Sequence, residues 1–283
     1  YALTYIAISM VTTALVSSLM PKPDANPNNS QGLQVNSKSP LAPMQFIYGK
    51  VRKGGTVTFQ QVSGGANVVL HQIIVLAGHE IDSVESVYLN DAIVSMSNEN
   101  VTQNIWGQKV KVYVHDGSQT SATSTFANSS KSLATTLHTE TSAPVDFVGK
   151  GIAYLYCRFE YDSSVFSNGL PIVTAVVKGK KVVTTINGVA QTPTWTDNAA
   201  WIIRDFITSD YGLKDISVDY ATFEEAASVS DDTTILSDGS KQYTINGVVE
   251  ASQSIGNVLQ DMMTSCAGTL FWGAGAWRLF AGA

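Results

Sequence analysis

Val68–Leu76 reads VVLHQIIVL, nine residues in which only His71 and Gln72 interrupt an apolar run, with Gly64-Gly65 before it and Gly78 after it. A short, β-branched run punctuated by glycines is the pattern of a strand in a buried sheet. The surrounding sequence repeats the signal. Thr56–Gln61 alternates in polarity, and Val84–Leu89 and Ile93–Met96 flank Asn90-Asp91, a tight-turn pair. Lys109–Val114 (KVKVYV) begins with period two, Lys out and Val in. Gly151–Tyr161 and Ile172–Val177 continue the series, and Lys178-Gly179-Lys180 is expected to turn the latter into a further strand. Gly54-Gly55 and Gly64-Gly65 read as turn or close-approach glycines. The body is therefore expected to be β-rich, of tube-like barrel or sandwich domains.

Three segments depart from that pattern. Residues 1–20 (YALTYIAISMVTTALVSSLM) carry no charge and predict an apolar helix, near the length that spans a bilayer but weakened by four Ser/Thr in its second half. The opening at Tyr1 rather than Met implies further sequence before it. Residues 21–43, rich in Pro, Asn and Ser, read as an extended linker. Residues 116–146, dominated by Ser and Thr, read as a long surface loop.

Helical signals come late. Asp197 is the expected N-cap of a helix over Asn198–Ser209, with Ala199, Ile202, Ile203, Phe206 and Ile207 inward and Trp201, Arg204 and Asp205 outward. Ser252 or Ser254 caps a last helix whose Ile255, Val258, Leu259, Met262 and Met263 form one stripe, with Gly268 past its end. A hairpin around Gly273-Ala274-Gly275 closes the readable sequence in mid-architecture. The fold class is thus a β-rich α+β, divided at 1–20, 21–43, 44–195 and 196–283.

With 44% hydrophobic and 14% charged residues over 283 positions, the composition is globular rather than disordered. Residues 1–150 hold 9 basic and 9 acidic side chains and residues 151–283 hold 8 and 14, so the excess acidity lies in the second half. That balance argues against a nucleic-acid-binding surface. Cys157 and Cys266 each sit in apolar runs and read as buried reduced thiols, with a disulfide left open.

Catalytic constellations are sought in vain. There is no phosphate-binding GxxxxGK[ST], no GxSxG elbow and no GxGxxG after a strand. His79-Glu80 starts like a zinc-protease motif, but position 83 is Ser, so the helical ligand pair is missing. His71 reads as a hydrogen-bonded core histidine. Glu224-Glu225 and Asp231-Asp232 read as solvated acidic stretches rather than a glycosidase pair. The sequons at Asn28, Asn100 and Asn128 have acceptor spacing without further meaning outside a secretory pathway. No catalytic, cofactor or metal residue is assigned, and the chain is expected not to be an enzyme.

One set of ordered strings is more specific. Tyr48–Gly55 (YGKVRKGG), Leu70–Ile81, Val87–Asp91 (VYLND), Gly151–Tyr156, Asn168–Pro171 and Val177–Val182 are followed by Trp195–Ala200 (WTDNAA) with Asp205, Asp210–Leu213 (DYGL) and Tyr243–Val248 (YTINGV). In that order, over roughly residues 44–283, they resemble the lambda-type tail-tip (host specificity J-like) hub proteins of tailed phages. Ala199, Val182-Val183-Thr184 and Ile245 depart from the family's usual residues but leave the turn glycines in place. The resemblance implies a homotrimeric baseplate hub at the tip of the virion's tail, built from tube-like β-domains with inserted smaller domains. It further implies contacts with distal-tail and tail-tube rings, the tape-measure protein and a distal receptor-binding fibre, with a role in host attachment and DNA delivery. Residues 1–20 would lie in the tube lumen or contact a membrane. Two other classes stay open: a hub carrying a peptidoglycan hydrolase in further sequence, and a secreted carbohydrate-binding β-protein.

Overall fold

The computed structural model describes residues 34, 36–38 and 42–282, so the expected helix at 1–20 and most of the linker at 21–43 lie outside the described residues. The chain first forms β1 (Gln45–Tyr48), β2 (Lys50–Lys53), β3 (Thr56–Ser63) and β4 (Val69–Ala77). The Asn90-Asp91 turn joins β5 (Ser83–Leu89) to β6 (Ala92–Ile93), with φ of 49° and 66° as a two-residue hairpin requires. The expected strand over Ile93–Met96 is divided: after β6 the chain crosses to another sheet as β7 (Met96–Ser97), then β8 (Asn100–Val101) and β9 (Val110–His115). Helix α1 (Leu137–Glu140) precedes β10 (Ala153–Glu160) and β11 (Val173–Lys178).

Two antiparallel sheets of order β3-β4-β10-β9-β8-β7 and β2-β11-β5-β6 enclose the first core. Ile74, Leu76, Leu155, Cys157, Val112 and Val114 face Val87, Leu89, Val173, Ala175 and Val177 across it. The alternate residues Ile73, Tyr113, Tyr154 and Tyr156 are equally buried, on the opposite face. A strand covered on both faces needs apolar side chains at every position, which is why VVLHQIIVL shows no alternation.

The cover on that second face comes from the Ser/Thr-rich segment, which corrects its reading as a surface loop. Phe126, Leu133, Leu137 and Ala143 are buried against the tyrosines, and Ser132 and Thr135 form a capping box that shapes the turn before α1. Four apolar residues spread over eighteen polar-rich positions give no periodic signal, yet they suffice to seat the segment. Asn128 adds an edge contact: its Oδ1 accepts from the Val114 N–H at 2.8 Å and its Nδ2 donates to the Val112 carbonyl at 2.8 Å.

After Gly179 the chain does not turn back on β11. It forms β12 (Lys181–Val182), the hairpin β13 (Thr185–Ile186) and β14 (Val189–Ala190), and β15 (Thr194–Trp195), which pairs with β12. A helical body follows: α2 (Ala199–Thr208), α3 (Tyr220–Ser230), β16 (Gly247–Glu250), α4 (Ile255–Ser265) and the hairpin β17 (Thr269–Gly273) with β18 (Ala276–Phe280). The architecture is a β-rich α+β fold, and the core of the helical body draws in Tyr48 and Val182 from the earlier chain.

Three details of the helices differ from expectation. The N-cap of α2 is Asn198, whose Oδ1 accepts from Ala200 and Trp201 at 3.0 and 3.3 Å while its Nδ2 donates to the Ala227 carbonyl at 2.9 Å. Trp201 and Arg204 are buried, because α3 and the β12–β15 segment cover the side of α2 that a lone amphipathic helix would leave open. And α3 itself runs through Glu224-Glu225, with Phe223, Ala226 and Ala227 buried; Asn198 ties α2 to it.

Replacing Leu137, which is wholly buried, with Ala is expected to destabilise the chain by about 2–5 kcal/mol, as large-to-small core changes do. Val145→Ala in the same segment, at a site 78% exposed, should stay within about 0.5 kcal/mol. Urea unfolding midpoints of the two variants check this; equal midpoints would mean the segment is not seated.

Candidate functional site

Successive side chains of a strand point to opposite faces, and β1 uses this to belong to two cores. Ile47 is fully buried in the sandwich core and Tyr48 is 1% exposed in the helical-body core. One edge of β1 pairs antiparallel with β16, from Gln45 opposite Glu250 to Tyr48 opposite Gly247. Its other edge is held by the Lys180 N–H donating to the Ile47 carbonyl at 2.8 Å and the Ile47 N–H donating to His79 Nε2 at 2.9 Å. The backbone approach is close enough to demand glycine: a Cβ on Gly179 would lie 2.1 Å from the Ile47 carbonyl oxygen. Gly49, at φ 63°, meets the Ile245 carbonyl oxygen in the same way.

A partly buried polar cluster closes this joint. The Tyr48 hydroxyl donates to Asp205 Oδ2 at 2.6 Å and lies 2.6 Å from the Tyr211 hydroxyl. Lys180 Nζ donates to the same Asp205 oxygen at 2.7 Å and to Tyr211 at 3.1 Å. Tyr211 stacks on Phe46 with centroids 3.8 Å apart, and Phe46 lies parallel to the His79 ring at 5.9 Å. Burial, followed by the charge of Asp205, holds the Tyr48 hydroxyl well above its usual range. Burial opposes the charge on Lys180, but Asp205 and Tyr211 outweigh it and raise its pKa.

His79 is fixed in one neutral tautomer. Nδ1–H donates to the Glu80 carbonyl at 2.7 Å, which leaves Nε2 as the acceptor for Ile47. Burial pulls its pKa down to about 4 against the opposing Glu80 bond, with Lys180 lowering it further and Asp205 raising it. At the other end of β1, buried Lys53 donates to the Leu76 carbonyl at 2.7 Å and to the Gln45 side chain, while Gln45 Nε2 donates to Glu250 at 2.9 Å. Burial lowers the Lys53 pKa to about 8, with Glu250 working the other way. The cluster's polar groups are thus spent on one another and on backbone, an arrangement that fixes the relation of two cores.

Residues from several of the ordered strings meet here. The Lys50 N–H donates to Asn246 Oδ1 at 2.7 Å, Trp195 Nε1 donates to the Gly49 carbonyl at 3.1 Å, and the Ile245 N–H donates to the Asp197 carbonyl at 2.8 Å. Lys178 lies over the Trp195 ring at 4.7 Å. Tyr88 and Asp91 lie elsewhere, on the four-stranded sheet, where Arg52 packs on Tyr88 at 3.9 Å and pairs with Asp91 at 2.6 Å.

The residues screened for chemistry are dispersed. His71 has no exposure and lies 2.7 Å from Ser63 Oγ and 2.8 Å from the Tyr156 hydroxyl, a satisfied core histidine. Glu80 pairs with Lys181, Glu224 accepts from the Gly188 N–H, Asp231 pairs with Lys241, and Asp232 accepts from Thr234. Among the described residues no three His, Cys, Asp or Glu side chains are grouped to hold a metal. Cys157 and Cys266 are both free, and each lies in a different core. Asn128 is engaged with β9, Asn100 stands on β8, and Asn28 lies outside the described residues. No local pattern marks the Lys180–Asp205–Tyr48–Tyr211 cluster in the sequence, because its members come from three separated segments.

Comparison by sequence matches the chain to no protein family and to no curated protein. Among solved structures, a chain from the virion of a native gene transfer agent particle superposes with a TM-score of 0.52 at 15% identity, covering 89% of this chain. The present chain spans 55% of that neighbour's length, and the likeness is one of fold.

Asp205→Asn strands the Lys180 charge in a poorly hydrated joint and should cost roughly 2–4 kcal/mol in chemical denaturation. His79 gives a pH signature. Its folded pKa, about 4, lies below the ordinary 6.5, so the unfolded chain binds the proton first and stability falls as pH drops from about 6.5 to 4. Relative to His79→Gln, wild type should lose up to about 3 kcal/mol across that window, read from urea midpoints at each pH. A constant difference would show that His79 is not held neutral.

Proposed function

We propose that this chain is a structural subunit of a tailed-phage tail tip, the baseplate hub that closes the tail tube and joins it to the distal receptor-binding parts. The observation that carries the reading is the convergence of the hub-like strings. Tyr48-Gly49-Lys50, Gly179-Lys180, Asp205, Tyr211 and Ile245-Asn246-Gly247, spread over some two hundred positions, assemble one joint. Residues that resemble those of a family in order, and that also meet in space, fit a shared geometric demand. The fold likeness to a chain of a gene transfer agent virion supports a place in a virus-like particle.

The role is mechanical, with no enzyme chemistry of its own. A subunit in a load-bearing ring needs its cores held at one angle, and a joint clasped on both edges of a four-residue strand supplies that. In this reading the chain is a homotrimer at the tip of the virion's tail, in contact with distal-tail and tail-tube rings, the tape-measure protein and a distal fibre. It binds no specific nucleic acid, consistent with the acidic excess of residues 151–283. Among the described residues no helix is long and apolar enough to cross a membrane; residues 1–20, assigned to the lumen or a membrane, lie outside them.

Light scattering of the purified chain followed by electron microscopy of tail ends carrying a labelled copy tests the proposal. Three copies in a ring beneath a sixfold tube are expected. A stable monomer that never enters tails would overturn it.

A further inference from the structure

Arg204 is a buried cation with no ion-pair partner among the described residues. Its residue exposure is 6%, yet Nη1 has no hydrogen-bond partner and no carboxylate among the described residues is within ion-pair distance. Nη2 donates to the Val183 carbonyl, and the guanidinium lies between the Trp201 ring at 5.1 Å and the Tyr220 ring at 5.6 Å. The two acids whose charges act on it from a distance make their hydrogen bonds elsewhere, Asp205 with Tyr48 and Lys180, Glu224 with the Gly188 N–H. Two residues beyond Val183, the Thr185 hydroxyl is also buried without a partner, in a residue 4% exposed.

A guanidinium without an ion pair in a poorly hydrated site is costly, and a buried donor left unpaired in a fold calls for a partner. The surroundings describe that partner. Thr185 opens the β13–β14 hairpin, whose Ile186 and Val189 are 60% and 63% exposed, and the hairpin touches α3, which begins at Tyr220, 48% exposed. A hydrogen bond from the Gly188 N–H to the Glu224 carboxylate at 2.8 Å ties the hairpin tip to α3. Of the two rings on the guanidinium Tyr220 is the exposed one, at 48% against 7% for Trp201, so the Tyr220 side is the side of approach. A planar fork takes a carboxylate in matched geometry, and an apolar rim suits the side chains around it. The same rim, on the acidic half of the chain, is ill-suited to the phosphates of nucleic acid.

We propose that the Arg204–Thr185 pair is a docking site for an Asp or Glu side chain, flanked by apolar residues, on a partner protein that lies across the β13–β14 hairpin. This inference does not rest on the tail-tip reading and can be tested without particles. The probe is sodium propionate, a carboxylate with a short apolar tail, compared with sodium chloride at equal ionic strength in thermal unfolding of the full chain. Wild type should melt about 3–6 °C higher at a tenfold excess over the dissociation constant, and saturably. Arg204→Met should melt at or above wild type in chloride, since it removes an uncompensated charge, and should show no propionate increment. Equal increments in both proteins, or none in wild type, would overturn the site. Should Arg204→Met fail to fold, Thr185→Val keeps the charge and decides the matter: a reduced propionate rise supports the site, and a rise equal to that of wild type rejects it.

Discussion

A strand can belong to two cores only if both of its faces and both of its edges are spoken for, and the four residues Gln45–Tyr48 meet that condition. Ile47 is buried with the sandwich and Tyr48 with the helices, so neither core is complete without this segment. The edges are pinned by β16 on one side and by Gly179-Lys180 and His79 on the other. Hydrophobic contact alone would let the two cores slide. The Tyr48–Asp205–Lys180–Tyr211 cluster opposes this, because its hydrogen bonds are satisfied in one arrangement and a shifted one leaves a charge unpaired.

Asparagine does much of the edge work in a chain with few charges. Asn36 pairs with the backbone of Val173 through both side-chain atoms, each at 2.8 Å, and Asn128 does the same along β9. Asn90 accepts from the Ile172 N–H at 3.0 Å, Asn198 caps α2 while reaching α3, and Asn246 receives the Lys50 N–H. A carboxamide presents an N–H and a C=O in the spacing of a peptide group, so it can end a ladder without leaving an open edge. Asn36 and Asn128, each bonded to backbone N–H and C=O groups of a strand, stand in for a neighbouring strand at that edge.

Much of the β-body was legible because its signals are local. The run Val68–Leu76, the Asn90-Asp91 turn and the terminal hairpin each rest on adjacent residues, and each is present. What escaped depended on distant cover. Helix α3 buries mainly small residues beside Phe223, so its pattern resembles a solvated acidic stretch. Trp201 and Arg204 looked outward because nothing in their own helix announces α3 packing over them. The four apolar residues of the Ser/Thr-rich segment matter only once a sheet face needs covering. The order of the hub-like strings was visible, but their meeting was not, since the side-chain bonds from Tyr48 to Asp205 and from Gln45 to Glu250 span 157 and 205 positions.

The β1–β16 pairing also sets a clock for biosynthesis. Gln45 leaves the ribosome 205 residues before Glu250, and at about 5–20 residues per second that interval is on the order of 10–40 s. Through it, β1 has an open edge and an unburied Tyr48, while the sandwich can already close on Ile47. A nascent chain in that state offers a strand edge to any neighbour on the same message. The engaged His79 and Gly179 edge, complete by residue 180, leaves β1 ordered on one side and thus halves the surface at risk until its late partner arrives.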